Sequence, residues 1–102
     1  LNTNITTPLP AYSFIRNVYP NPFKVNQPAN LKVSVGKDDS AELKIFNSKG
    51  QLVKTYGNLT PGDHDIVWNG KDESNKTCST GIYFYQLDSS SCQTHGKMML
   101  IK

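Results

Sequence analysis

A chain of 102 residues is long enough to bury roughly 60 to 70% of its unfolded surface in one domain, so it needs neither a metal nor a disulfide to hold it. Its net charge of +3 is dispersed, with no Lys/Arg cluster beside stacking aromatics, which excludes a nucleic-acid surface. No run approaches the ~18 apolar residues of a transmembrane segment, and Asn, Ser and Thr abound where Ala, Leu and Glu are scarce, the composition of an all-β domain.

Residues 1–13 carry two prolines and no period, and read as a linker from an upstream domain; residues 14–102 form the folded unit. The chain begins at Leu1 rather than Met, without a charged and apolar leader, and is expected to be a piece of a longer protein. Phe14 to Val18 makes a short first strand. In Tyr19-Pro20-Asn21-Pro22-Phe23, Pro20 and Pro22 fix φ and remove backbone donors, so the segment reads as a rigid crossing between elements, with Tyr19 and Phe23 turned inward.

Asn30 to Val35 alternates, with Leu31, Val33 and Val35 on one face, and after a turn Ala41, Leu43 and Ile45 do the same. Phe46 falls on the polar parity of its strand, so its ring is expected on the outer face. Asn47-Ser48-Lys49-Gly50 is a hairpin connection returning through Gln51 to Tyr56. After Pro61-Gly62, the residues His64, Ile66 and Trp68 alternate against Asp63, Asp65 and Val67, and Trp68 is expected to anchor the core. Asn69 to Thr80 is a polar loop.

Gly81 to Leu87 is rich in aromatic and β-branched residues, a central strand with Tyr83, Tyr85 and Leu87 on one face and Ile82, Phe84 and Gln86 on the other. Neither face is mainly polar, so one is covered or meets a partner. Gln93 to Ile101 is the last strand. About seven short strands with turns every 8 to 12 residues predict a sandwich of two antiparallel sheets.

Catalytic and metal chemistry find no support. Serines sit in turns with no nucleophile elbow. His64 and His95 have no Cys or carboxylate at zinc-ligand spacing. The loop Asn69 to Asn75 has oxygen ligands but lacks the alternation of a calcium loop. Cys78 and Cys92 flank the Ile82 strand at opposite ends, beyond the ~7 Å a disulfide spans. No cofactor, metal or enzymatic activity is expected.

Four landmarks stand in order: Tyr19-Pro20-Asn21-Pro22-Phe23; Phe46-Asn47-Ser48-Lys49-Gly50-Gln51-Leu52-Val53; Gly62-x-His64-x-Ile66-x-Trp68-Asn69-Gly70; and Ser79-Thr80-Gly81-Ile82-Tyr83-Phe84-Tyr85 with the closing Lys97-Met98-Met99-Leu100-Ile101-Lys102. Together they closely resemble the C-terminal sorting domain of proteins exported by the type IX (Por) secretion system of Bacteroidetes and relatives. The succession is also similar to the Ig-like domain of flagellar hook-cap proteins. The resemblance covers residues 14–102.

It implies an immunoglobulin-like (fibronectin III-like) sandwich that serves as an export address at the outer membrane of a secreted or surface protein. The matching residues are Gly81, Tyr83, Phe84 and Lys97 to Lys102; Gln86 stands where the family often carries Arg or Lys. In Ig-like sandwiches a tyrosine at the position of Tyr83 hydrogen-bonds back to the chain just before it.

Phe46, Ile82 and Phe84 are the expected partner-binding residues. Lys97 to Lys102 join them, with Met98 and Leu100, or Met99 and Ile101, facing outward. Tyr19, Pro20, Pro22, Phe23, Trp68, Gly81, Tyr83 and Tyr85 are expected to be structural. The final strand would offer its edge to the outer-membrane secretion machinery. An upstream catalytic or adhesive domain is the other expected partner, and self-association through the outer apolar face is open, as is coverage by the amino-terminal segment around Phe14. The rival functions are a carbohydrate- or protein-binding accessory module of a secreted hydrolase and a hook-cap-like structural domain.

Overall fold

The cleanest alternation in the chain finds the partner of matching period: Leu31 lies opposite Ile66 and Ala29 opposite Trp68 in an antiparallel ladder. The computed structural model describes residues 12–90 and 92–102. Its strands are β1 (Phe14–Tyr19), β2 (Phe23–Lys24), β3 (Ala29–Val35), β4 (Ala41–Phe46), β5 (Leu52–Leu59), β6 (Gly62–Trp68), β7 (Gly81–Ser89) and β8 (Gln93–Ile101). They form a three-stranded sheet in the order β1-β3-β6 and a five-stranded sheet in the order β2-β8-β7-β4-β5. The expected linker lies outside the described residues as far as Ala11.

Tyr19 to Phe23 does cross between elements, carrying the chain from the small sheet to the large one. Phe23 turns inward and is fully buried, but Tyr19 is 43% exposed, which corrects the expectation that both rings enter the core. The reason is an irregularity in the β1–β3 register between Ile15 and Asn17. It places both Ile15 and Val18 against the core, so Tyr19, next along the strand, points to the opposite face. Its ring lies under the Lys32 ammonium, 6.0 Å from the centroid.

Side chains from the two inner faces fill the space between the sheets. Trp68 is completely buried and holds both layers, its ring centroid 5.3 Å from Phe23 and 5.2 Å from Tyr83. Its indole N–H donates to the Lys71 carbonyl at 2.8 Å, so the buried donor is satisfied. Ala41, Leu43, Ile45, Val53, Leu87, Met98 and Leu100 add to the large sheet's contribution.

A polar plug closes the end of the sandwich where the chain enters. Ser13 Oγ, wholly buried, donates to Asp39 at 2.6 Å and accepts the Gly36 N–H at 2.9 Å. The Ser90 hydroxyl donates to the other Asp39 oxygen, and Cys92 Sγ donates to the Ser13 carbonyl at 3.0 Å. Cys78 lies beyond the opposite end of β7, and both cysteines are free thiols.

Candidate functional site: the outer face of the large sheet

The outward parity of β7 brings apolar side chains from neighbouring strands together. Phe84 lies opposite Phe46 of β4, Phe46 opposite Leu52 of β5, and Ile82 opposite Met99 of β8. Ile101 pairs with Lys24 of β2. The result is one strip, Leu52-Phe46-Phe84-Ile82-Met99-Ile101, across one end of the sheet. Leu52 is 54% exposed, Phe84 42% and Met99 37%; Phe46 is half-buried.

The local sequence builds this strip. Asn47 Oδ1 accepts the N–H groups of Lys49 and Gln51 at 2.9 and 3.0 Å, and Gly50 takes a φ of +82°, open to glycine at little cost. That tight turn sets Leu52 beside Phe46. Leu52 was not among the expected site residues; the adjacent pair Leu52-Val53 was its only signal, since one of two consecutive apolar strand residues must face out. Val53 is the one that turns in.

Met98 and Leu100 are not part of the face. They are 1% and 0% exposed, which corrects their assignment as partner-binding residues. Met98 lies opposite Tyr83 and Leu100 opposite Gly81, so the ladder with β7 puts both on the core side and leaves Met99 and Ile101 outside. Phe14, offered as a possible cover, lies in β1 of the other sheet and does not cover the strip.

The other end of the same face is polar and closed on itself. Lys44 Nζ stands 3.3 Å from Glu42 and 3.4 Å from Asp88. Asp88 also accepts from Gln86 at 3.0 Å and Gln93 at 2.6 Å. Burial alone pushes the Asp88 carboxyl up, but these hydrogen bonds and the Lys44 charge outweigh it and hold the group below the ordinary carboxylate value. Gln86, standing where Arg or Lys was expected, thus serves the acid beside it.

Both edges of the large sheet are partly capped near the strip. At the β8 edge, the Asn21 amide donates to the Lys97 carbonyl at 3.3 Å and accepts the Met99 N–H at 3.0 Å. At the β5 edge, the Glu73 N–H donates to the Val53 carbonyl and its carboxylate accepts the Thr55 N–H at 3.0 Å. Each residue imitates a missing strand. The expectation of an open β8 edge therefore fails at its carboxyl end, where Asn21 and β2 occupy it.

Behind the strip lies a polar groove of about 570 Å³ between the β4–β5 turn and the chain entering β7, with Leu52 and Ile82 on its rim and Cys78 and Tyr83 in its wall. The Tyr83 hydroxyl donates to the Ser79 carbonyl at 2.6 Å, the back-bond expected of a corner tyrosine. Burial pushes the Cys78 thiol above its usual value, so it is a poor nucleophile.

Two sheets packed face to face around a buried tryptophan, with a corner tyrosine at the start of β7, define an immunoglobulin-like β-sandwich domain. Residues 21–92 match the FlgD Ig-like domain family, and the chain belongs to that family. Among solved structures it is similar to PorZ, described as an essential bacterial surface component of the type-IX secretion system of Porphyromonas gingivalis. That likeness has a TM-score of 0.63 at 18% identity, covering 86% of this chain and 11% of the other.

It is also similar to dimeric latent PorU from Porphyromonas gingivalis, with a TM-score of 0.70 at 20% identity over 87% of this chain and 9% of the other. A superoxide reductase (neelaredoxin) from Ignicoccus hospitalis matches with a TM-score of 0.51 at 14% identity, over 88% of this chain and 80% of that one. At these identities the likenesses establish the fold. No match was found among curated proteins.

Proposed function

We propose that this domain is the non-catalytic sorting and attachment module of a larger exported protein, and that the apolar strip on the large sheet is the surface its export machinery grips. The observation that carries the reading is the contrast within one face. Lys44, Glu42, Asp88 and Gln86 satisfy one another, while Phe84, Met99 and Ile82 are left to water at the other end. An apolar area gathered across several strands is the mark of a docking surface. The likeness to PorZ and PorU supports placement in type IX secretion, and with it a secreted or surface location reached through the periplasm and outer membrane.

Lys97 and Lys102 belong to the same docking surface in this reading, one opposite Phe84 and the other following Ile101. A carbohydrate platform built on Trp68 has no support, because that ring is wholly buried.

The test is a full-length parent protein carrying Phe84→Asp and Met99→Asp. Removing Lys97 to Lys102 instead would also delete Met98 and Leu100 from the core, confusing unfolding with lost recognition. The double variant is expected to fold, as judged by an unchanged thermal midpoint of the isolated domain, and to accumulate in the periplasm. Arrival of the folded variant at the cell surface at the wild-type rate would refute the reading.

A further inference from the structure

We infer that the partner of the apolar strip is an acidic amphipathic protein segment, one whose carboxylates flank apolar side chains; this rests on the docking role proposed above. The argument is a census of charge. Asp63 pairs with Arg16, Asp65 with Lys32, Glu73 with Lys54, and both Glu42 and Asp88 with Lys44. Asp72 is turned onto the backbone N–H groups of Ser74 and Lys76, and Asp39 is buried among Ser13 and Ser90. The acids are almost all occupied.

The cations are not. Among the described residues, seven lysines make no ion pair; Lys37, Lys71 and Lys76 lie in the loops after β3 and β6, whereas Lys24, Lys49, Lys97 and Lys102 are exposed and border the strip. Lys24 lies opposite Ile101 and Lys97 opposite Phe84; Lys49 sits in the turn joining Phe46 to Leu52, and Lys102 follows Ile101. An apolar centre with an unneutralised basic rim selects a partner that brings apolar side chains and negative charge together.

Other occupants fit less well. A second copy has one acid outside the pairings above, Asp38 in the β3–β4 turn, too few to neutralise a rim of four lysines. Residues 1–11 contain no Asp or Glu and so bring no negative charge to the rim. An anionic membrane would satisfy the lysines, but interfacial anchoring buries apolar groups about 5–10 Å deep. The strip's side chains lie across strands of a sheet, with Ile82 and Ile101 only 36% exposed.

The experiment titrates the isotope-labelled 102-residue chain with a synthetic peptide of apolar residues flanked by glutamates, and with the same peptide carrying lysines instead, followed by amide NMR. The glutamate peptide is expected to shift Phe46, Ile82, Phe84 and Met99, and to bind at least ~5-fold more weakly when salt rises from about 50 to about 500 mM. Lys24→Glu with Lys97→Glu should weaken it by about 10-fold or more.

Equal binding of the lysine peptide, or shifts confined to other surfaces, would overturn the inference. So would a peptide-free dimer in sedimentation that buries the strip, or lysine-dependent binding to phosphatidylglycerol vesicles with no response to the glutamate peptide. If Phe84→Asp with Met99→Asp blocks export but the glutamate peptide fails to bind, the docking role stands and the acidic partner falls.

Discussion

Tyr85 lies against Gly96, its opposite number across the β7–β8 ladder. A Cβ added to Gly96 would come within 2.8 Å of Tyr85 Cε1, closer than carbon atoms pack. The aromatic ring covers the strand's glycine, and the glycine in turn lets the ring lie flat against the sheet while it packs against the core.

Gly96→Ala is therefore expected to destabilise the domain by about 1–3 kcal/mol through overpacking. Near a hundred residues, each kcal/mol lowers the melting temperature by roughly 4–8 °C. Adding Tyr85→Ala should cost less in the Gly96→Ala background than in the wild type, a coupling that a double-mutant cycle reads directly. Strict additivity would mean that the ring does not depend on the glycine.

Met98 and Met99 are adjacent in sequence and opposite in environment, 1% and 37% exposed. Truncating Met98 to Ala empties core volume and should cost about 2–5 kcal/mol. Met99→Ala should stay within about 0.5 kcal/mol, as surface substitutions usually do. Urea denaturation of the two single variants checks the pair. A reversed order would mean that β8 is registered one residue away from the ladder described.

Removing the Asn21 side chain should open the β8 edge without emptying the core, because Asn21 is exposed while its amide holds both Lys97 and Met99. Asn21→Ala is expected to speed amide exchange at Met99 by about tenfold, the equivalent of one hydrogen bond of roughly 1.4 kcal/mol. Exchange at Met98 and Leu100 should change much less. Unchanged exchange at Met99 would show that β2 alone guards the edge.

The alkaline limit of stability should carry a signature of Tyr56. Burial, and then the nearby Glu73 charge, push its phenol up to about 12. The folded state thus keeps this proton where the unfolded chain, ionising near 10, loses it. Stability from this group is whole below about pH 10 and is lost as pH rises through about 12, because the unfolded state there binds fewer protons. Tyr56→Phe should flatten the fall in urea midpoint between about pH 9 and 11. An equally steep fall in the variant would exclude Tyr56 as its source.

The sequence by itself determined which residues of β3, β4, β6 and β7 face the core. In the first three, apolar and polar residues alternate with period two, so side chains alone mark the buried face. In β7 the aromatic set Tyr83-Tyr85-Leu87 outweighed Ile82-Phe84-Gln86, and the outward rings of Phe84 and Phe46 were legible as breaks in that pattern. The corner role of Tyr83 was legible through the family's spacing.

Tertiary structure decided the rest. Met98-Met99-Leu100-Ile101 is apolar at both parities, so only pairing with β7 selects its face. Tyr19 turned out because a bulge one turn of pleat earlier shifted its strand, a displacement that no local residue announces. Asn21 and Glu73 became edge caps by meeting strands far away in sequence, at Lys97–Met99 and Val53–Thr55. Alternation is written locally, whereas register and edge closure arise from long-range backbone hydrogen bonds that every residue type makes alike.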